Sequence, residues 1–345
     1  MKQTFGLTIA VLLLVIVLPM TLLLQAQSDL SGASQTPAGY KLSGPYSYKN
    51  LTIFLIHGKG QLEGTNFLTL QEALEQKKVI VYETKQVNEL AIENVSNEDV
   101  YVQSGDIVKG GQQDRMLAVD LIVPPKSGRM AIAAFCVESG RWSRRGSEQA
   151  AVFVSSNDVA VTKEIKLAAK KAKSQSGVWQ NVTVAQDKLS ENVGTRVNST
   201  VSDSSLQLAV ENQKVQENAD SYIKALNGIV KEHDDVIGYA FAINGKVNSA
   251  DVYASSVLFR KLWPKLLKAN AVEAIAELQK DGKFEPTTSD SVEKFLSTSE
   301  KGNSTEKDVT ARVGLITRED AQNIFFETRD RAQKGAWIHR NYIRK

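Results

Sequence analysis

The sequence contains few of the residues that bind metals or form covalent cross-links. It has one cysteine, Cys136, and three histidines in 345 residues. A single cysteine cannot form a disulfide within the chain, so packing must stabilise the fold. The histidines His57, His233 and His339 are far apart in the sequence, and their spacing is not that of a zinc site. The sequence therefore predicts neither a bound metal nor a cofactor.

An excess of charge of one sign is also missing, because the formal net charge is only +3. A nucleic-acid-binding protein needs a concentrated basic surface that releases counterions from phosphates. Two common catalytic signatures are absent from the sequence as well. No glycine-rich loop ends in Gly-Lys-Ser/Thr, and no Gly-x-Ser-x-Gly elbow occurs. The sequence gives no support for a nucleic-acid binder, a P-loop protein or an α/β-hydrolase serine enzyme.

The N-terminal residues 1–26 have the pattern of an export segment. Lys2 precedes an almost entirely apolar stretch from Phe5 to Leu24, which is long enough to span a bilayer as a helix. Two interpretations fit this pattern: a signal peptide cleaved after Ala26, or an uncleaved membrane anchor. In both cases we predict that the folded part is extracytoplasmic, either periplasmic or secreted, or held at the membrane by residues 5–24.

The first half of the remaining chain is predicted to be rich in strands. Residues 27–48 contain many Ser, Gly, Pro and Gln residues, which is typical of a flexible linker. Between residues 49 and 155, short apolar runs alternate with turn residues. Repeated short strands of this kind indicate a sandwich or a barrel-like sheet.

The second half is predicted to be mainly helical, which makes the fold class α+β. Residues 156–280 form a helical region with an inserted β-hairpin at 236–253, whose turn is Asn244-Gly245. Residues 281–310 are polar and are predicted to be a mobile linker. Residues 311–345 are predicted to contain the last strands.

Two helices of this region carry more specific expectations. Asn157 or Asp158 is predicted to cap a helix that ends near Ser174. The residues from Leu206 to His233 are predicted to form one long amphipathic helix. Four lysines spaced by 3, 4 and 3 residues form a stripe on the first helix: Lys163, Lys166, Lys170 and Lys173. Such a stripe is ordinarily a solvated face, and it is also a surface that could contact anionic lipid or an acidic partner.

The densest group of polar residues lies in a predicted turn at residues 104–115. Its adjacent glycines let backbone N–H groups converge on an anion, and neighbouring cations could close on a phosphate or carboxylate. A hairpin turn whose charged side chains pair locally explains the same composition. We predict that a ligand contacts these residues: Lys109, Gly110, Gly111, Gln112, Gln113 and Arg115.

A second polar group surrounds the cysteine, from Phe135 to Trp142. Strand alternation places Cys136 and Glu138 on one face. A thiol nucleophile needs a nearby base, and no histidine is close in the sequence, so a buried and inert cysteine is the favoured interpretation. Arg141 and Trp142 are added to the predicted ligand contacts. Both could equally form a structural corner.

Three blocks of the sequence together resemble a known family. They are Gly105–Arg115, Pro124–Gly128 and Phe135–Trp142, in that order. The chain resembles the ARG and rhodanese-phosphatase-superfamily-associated protein domain, most strongly over Asn50–Glu148. The family name implies an association with ADP-ribosylglycohydrolases and phosphatases, and hence with ADP-ribose or related compounds. The resemblance supplies no catalytic residues, but it favours a binding role for the glycine-rich turn.

These observations favour an extracytoplasmic module that binds a small anionic ligand or a partner. One alternative is a hydrolase acting on a phosphate- or ADP-ribose-type compound, with Asp106, Asp114 or Glu138 as acid or base. A second alternative is an envelope scaffold that uses the lysine stripe. The first two hypotheses require the turn at residues 104–115 and the segment around Cys136 to face one hollow, and none of the three fixes the oligomeric state.

Overall fold

The computed structural model describes Met1 and residues 39–62, 64–159 and 161–345. The apolar stretch at residues 5–24 lies outside the described residues, so the predicted export segment stays a prediction. The described residues from 39 onward belong to one compact unit. None of the helices in these ranges has both the length and the apolar character needed to cross a bilayer.

Strands form most of the described chain, and they are numbered here in chain order. Their bounds are β1 (Lys41–Tyr48), β2 (Leu51–His57), β3 (Leu68–Thr69), β4 (Val79–Gln86), β5 (Glu89–Asn94), β6 (Val100–Val102), β7 (Asp106–Gly110), β8 (Arg115–Leu117), β9 (Leu121–Val123), β10 (Arg129–Cys136), β11 (Val152–Val159), β12 (Val236–Ile243), β13 (Lys246–Tyr253), β14 (Asn303–Asp308), β15 (Val313–Glu319), β16 (Asn323–Asp330) and β17 (Ala336–Arg344).

The α-helices in the described ranges each begin after a Ser, Thr or Asn whose side chain accepts a hydrogen bond from the first turn. Such caps satisfy N–H groups that have no partner within the helix. The bounds are α1 (Leu70–Glu75), α2 (Lys163–Lys170), α3 (Gln175–Val193), α4 (Leu206–Val210), α5 (Gln213–Leu226), α6 (Ser256–Ala276) and α7 (Ser289–Ser299). Two short 3-10 turns follow at Asn227–Val230 and Arg331–Gln333.

The strands form three sheets. An antiparallel sheet of eight strands has the order β1-β2-β12-β13-β17-β16-β15-β14, so β1 and β14 are its edges. Six strands close into a barrel in the order β10-β5-β4-β11-β7-β8, and β3, β6 and β9 form a small third sheet. The predicted α+β class and the barrel-like character of the N-terminal half are therefore confirmed.

The eight-stranded sheet joins parts that are distant in the sequence. β2 pairs with β1 on one side and with β12 on the other, which brings residues near 50 beside residues near 240. Helix α6 packs against α3 and α5 and against strands β11 and β12. Most of its residues are buried although it contains several polar side chains. This central helix links the barrel to the large sheet.

Several local predictions differ from the structure. The predicted linker at 27–48 includes β1, which pairs along β2. The predicted mobile segment at 281–310 contains α7 and β14, because Val292, Phe295 and Leu296 form a short buried face on α7. The polar residues around this face conceal it in the sequence.

The two specific helix predictions are also corrected. Strand β11 continues to Val159, and the cap of α2 is Thr162 rather than Asn157 or Asp158. The long helix predicted from residue 206 to 233 is interrupted, because the side chain of Asn212 accepts a hydrogen bond from the N–H of Lys214 and starts α5. An Asn side chain at this position competes with the helix backbone for hydrogen bonds.

Candidate functional site

The two segments predicted to form a site lie side by side. β8 pairs with β10, which places Arg115 opposite Cys136. The N–H of Val137 donates to the carbonyl oxygen of Asp114 at 3.1 Å. The N–H of Asp114 in turn donates to Glu138 Oε2 at 3.3 Å. The sheet register thus joins two groups that the sequence separates by more than twenty residues.

The carboxylates at this junction are held by arginines. Asp114 accepts two hydrogen bonds from Arg145, at 2.9 and 3.2 Å, and one from the N–H of Gly110 at 3.1 Å. Burial raises the pKa of Asp114 in spite of these partners. Burial also disfavours the charged form of Glu138, but two hydrogen bonds from Arg141, at 2.7 and 2.6 Å, outweigh it and lower its pKa. Both carboxylates therefore already have cationic partners.

The cysteine and the first arginine of the group are buried together. Arg115 contacts the Cys136 sulfur and lies 3.5 Å from Glu83 Oε1. Burial raises the pKa of the Cys136 thiol to about 11, although the neighbouring guanidinium opposes this effect. A neutral buried thiol is a poor nucleophile, which agrees with an inert cysteine. The half-exposed Trp142 ring covers the guanidinium of Arg115 at 5.5 Å.

The backbone N–H groups of the glycine-rich turn already have acceptors within the protein. Gly111 donates to the carbonyl oxygen of Gln149 at 3.0 Å. Gln112 donates to Glu83 Oε2 at 3.0 Å. Together with the bond from Gly110, these contacts occupy the donors that an anion would need. An incoming anion would have to displace Glu83 and its neighbours.

The remaining predicted residues of the turn are also paired or buried. Asp106 is buried and forms an ion pair with Lys265 of α6. Lys109 lies 2.6 Å from Glu211, and Gln113 is buried. The predicted residues Asp114, Arg115, Glu138, Arg141 and Trp142 thus converge, and most of their polar groups contact one another or Arg145. Asp106 and Lys109 pair instead with residues outside this group. Their roles in catalysis and binding stay predictions.

A more open site lies at the turn of the β12–β13 hairpin. A cavity of about 550 Å³ is bounded by this turn, the start of α2, the end of α6 and the segment after α6. Its rim includes three lysines, and its wall includes one deeply buried carboxyl. The residues used below are Lys163, Lys246, Lys283, Asn248 and Glu273.

Glu273 is the unusual residue of this cavity. Its side chain is 1% exposed. Oε1 accepts hydrogen bonds from Asn248 Nδ2 at 3.0 Å and from the N–H of Lys163 at 3.1 Å. Among the described residues, Oε2 has no hydrogen-bond partner. Burial raises the pKa of Glu273 to about 7, although the charge of Lys166 opposes this effect.

This carboxyl is not among the site residues predicted from the sequence. Glu273 follows Ala271-Val272 and precedes Ala274-Ile275, so it is a single acidic residue within an apolar run of a helix. Such a residue in a helix that is buried on most sides is expected to carry a function or to have a buried partner. This pattern was the one local signal that the sequence offered.

A second buried polar group includes a lysine of the predicted stripe. His339 Nδ1 lies 2.9 Å from Asp120, and Nε2 lies 3.0 Å from Asp251. Burial alone would lower the pKa of His339, but the two carboxylates raise it. Lys170 is also buried, with its ammonium 4.3 Å from the ring centroid of Phe326. The lysine stripe is therefore not a continuous solvated face.

Comparisons with known proteins identify the family to which these residues belong. No match was found among curated proteins or among solved structures. One family model, described as the ARG and Rhodanese-Phosphatase-superfamily-associated Protein domain, matches residues 39–343. The match extends far beyond the three blocks on which the resemblance was first based, and it includes the barrel, the large sheet and α6. The chain therefore belongs to the ARG and rhodanese-phosphatase-superfamily-associated protein domain family.

Proposed function

We propose that this protein is an extracytoplasmic binding module that holds a small polar ligand in the cavity beside Glu273. The observation that carries the proposal is the buried Oε2 atom without a partner. A buried polar atom that lacks a hydrogen bond costs about 1–3 kcal/mol. Above the pKa of about 7, where the carboxyl is ionised, a ligand that donates an N–H or O–H group to Oε2 would remove this cost on binding.

The charges of the rim support a ligand that also has an anionic group. Within the described part of the chain, the side chains of Lys163, Lys246 and Lys283 have no ion-pair partner. Glu277, by contrast, is paired with Lys188 at 2.6 Å. Exposed glutamates elsewhere on the rim make the cavity mixed in charge. This combination favours a small zwitterion, or an anion that carries hydroxyl or amino groups.

The extracytoplasmic part of the proposal is supported by the sequence alone. The basic start and the apolar stretch at residues 5–24 have the pattern of an export segment. The folded part of the protein would then meet its ligand outside the cytosol. The family description names an association with ARG and with the rhodanese-phosphatase superfamily. The resemblance implies a link to ADP-ribose-type compounds, so ADP-ribose belongs among the compounds to be tested.

The hydrolase alternative has less support from the geometry. It assigns acid–base roles to Asp106, Asp114 or Glu138, and each of these is buried beside a cation. General acid–base catalysis requires the group to reach the substrate within hydrogen-bond distance. The binding proposal needs no displacement of existing partners, and it is preferred for that reason.

A thermal-shift screen tests the proposal. The screen contains amino acids, dicarboxylates, sugar phosphates and ADP-ribose, and each hit is then titrated by calorimetry. Glu273→Gln is the decisive variant, because its oxygen can keep the bonds from Asn248 and the Lys163 backbone while its NH₂ group replaces Oε2. A donor on the ligand then faces a donor, and we expect the affinity to fall about tenfold or more.

Glu285→Gln is the matched control, since Glu285 is an exposed residue of the same rim. We expect this variant to bind almost as the wild type does. A screen without hits, or a hit that binds Glu273→Gln and the wild type equally well, would refute the proposal.

A further inference from the structure

Three side chains on neighbouring strands form a chain of hydrogen bonds outside the proposed binding cavity. Ser43 Oγ lies 2.7 Å from His57 Nε2, and His57 Nδ1 lies 2.8 Å from Asp235 Oδ1. The residues are separated in the sequence by 14 and 178 positions. Their contact depends wholly on the pairing of three strands.

The sheet explains why these residues meet. His57 ends β2, which lies between β1 and β12 in the eight-stranded sheet. Ser43 is on β1, where it is paired with Leu55. Asp235 directly precedes β12, whose first residue Val236 is paired with His57. The histidine therefore lies between a hydroxyl from one neighbouring strand and a carboxylate from the other.

The chemistry of the three groups fixes the direction of both hydrogen bonds. The hydrogen bond from His57 lowers the pKa of Asp235, so this carboxylate is ionised and can only accept. Nδ1 of His57 must then carry the proton. In the neutral imidazole Nε2 is consequently unprotonated, and it accepts the hydroxyl proton of Ser43. This is the proton arrangement that activates a serine nucleophile.

We propose that Ser43 is a nucleophile that cleaves small carboxylic esters, with His57 as its general base and Asp235 as a positioning residue. Ser43 Oγ attacks the ester carbonyl carbon while its proton passes to His57 Nε2. The tetrahedral species expels the alcohol oxygen, which takes that proton from His57. Water then attacks the acyl-Ser43 carbonyl and gives its proton to His57, which returns it to Ser43 as the acid leaves.

A cavity of about 580 Å³ lies at the Asp235 end of the relay, and its lining includes neither Ser43 nor His57. Its lining includes Asp235 and Gly58, the neighbour of His57, and its other residues are mostly small or polar, such as Ser255, Ser256 and Thr65. Ser43 itself is partly exposed on the edge strand β1, so a small ester would approach it from solvent. Asp235 is two-thirds exposed, so solvent screens the electrostatic interaction between its carboxylate and the imidazole of His57. We therefore expect modest activity.

The neighbouring titratable groups do not compete for the same nitrogens. The ring of His233 packs edge-on against His57 with centroids 5.2 Å apart. Its Nε2 lies 3.5 Å from the hydroxyl of Tyr46, and Asp234 lies 3.6 Å from Arg260. The relay is thus separate from these pairs. It is also separate from the Glu273 cavity, and the proposal does not depend on the binding function.

A fluorophosphonate probe and p-nitrophenyl acetate test the nucleophile. The probe loses fluoride and leaves its phosphonyl group on an activated serine, which peptide mass spectrometry locates. We expect modification at Ser43 and ester hydrolysis above the buffer rate, both abolished in Ser43→Ala. His57→Ala should lower both rates about a hundredfold or more. Ser47→Ala is the control, because Ser47 lies on the same strand but is bonded to Thr52 at 2.9 Å.

The positioning role of Asp235 needs a readout that a purely structural role would not change. We expect Asp235→Asn to lower the labelling rate about tenfold or more, and Asp235→Glu to restore part of it because it keeps an acceptor-only carboxylate. Circular dichroism must show that all the variants are folded. Three results would overturn the proposal: no probe on Ser43, equal labelling of Ser43 and Ser47, or labelling that is unaffected in folded His57→Ala.

Discussion

The buried carboxyl of Glu273 makes a quantitative prediction about stability and pH. In an unfolded chain a glutamate has a pKa of about 4.3, whereas burial raises the pKa of Glu273 to about 7 in the folded protein. Below about pH 4.3 the carboxyl is protonated in both the folded and the unfolded protein, so it does not favour either state. Above it, the unfolded state loses its proton first, so the folded state is increasingly disfavoured until the pH exceeds the folded pKa.

The size of the effect on the free energy of unfolding follows from the difference between the two pKa values of Glu273. Each pH unit between them lowers the free energy of unfolding by up to about 1.4 kcal/mol, which totals roughly 4 kcal/mol above neutral pH. Glu273→Gln removes this penalty while it keeps the volume of the side chain. The variant should therefore gain about 4 kcal/mol relative to the wild type between about pH 4 and about pH 8, which corresponds to about 6 °C in Tm.

Chemical denaturation at several pH values, followed by circular dichroism, measures this difference. Other titrating groups are the same in the two proteins, so subtraction of the curves isolates residue 273. Glu285→Gln should run parallel to the wild type, because Glu285 is exposed. Parallel curves for Glu273→Gln and the wild type over the whole range would refute the reasoning.

Three further predictions concern the ion pair between Asp114 and Arg145, the glycine-rich turn and the buried Cys136. Arg145→Leu leaves the buried carboxylate of Asp114 without its main partner. In urea titrations it should lower the free energy of unfolding by about 3–5 kcal/mol. A loss below about 1 kcal/mol would contradict the importance of this ion pair. Gly111→Ala should cost about 2 kcal/mol or more, because φ is 56° and an added Cβ would lie 2.3 Å from the Phe153 ring. Phe153→Leu should recover part of that cost, and full tolerance of Gly111→Ala would show that the turn relaxes. Cys136 should react with a disulfide reagent only as fast as the protein unfolds, because the thiol is buried and neutral; rapid reaction of the native protein would be inconsistent with this.

Features set by neighbouring residues could be predicted from the sequence. The β12–β13 hairpin was predicted with its observed ends because Asn244-Gly245 provides both positive φ angles of the turn. The barrel-like character of the first half followed from repeated short strands. Helix α7 is not predicted from the sequence, because three apolar residues on one face give too weak a helical periodicity within a polar region.

The candidate sites depend on long-range pairing, and this limits what sequence can reveal. Local composition identified the group around Asp114 and Glu138, but it could not show that Arg145 neutralises it. Glu273 becomes notable only when α6 is buried between other elements. His57 and Asp235 are 178 residues apart, and no local pattern connects them. The first of these features forms when β8 pairs with β10 in the barrel, and the last forms when the eight-stranded sheet is assembled.

The outer strands of the eight-stranded sheet, β1 and β14, affect how one molecule can associate with another. Unpaired backbone groups on an outer strand are a template for pairing with another chain. β14 is exposed along its whole length and carries the charged side chains of Glu306, Lys307 and Asp308, which disfavour pairing with another strand. On the opposite margin, Pro45 lacks an N–H and the pairing of β1 is irregular between Ser43 and Tyr46. Both outer strands therefore carry features that disfavour growth of the sheet from one molecule into the next.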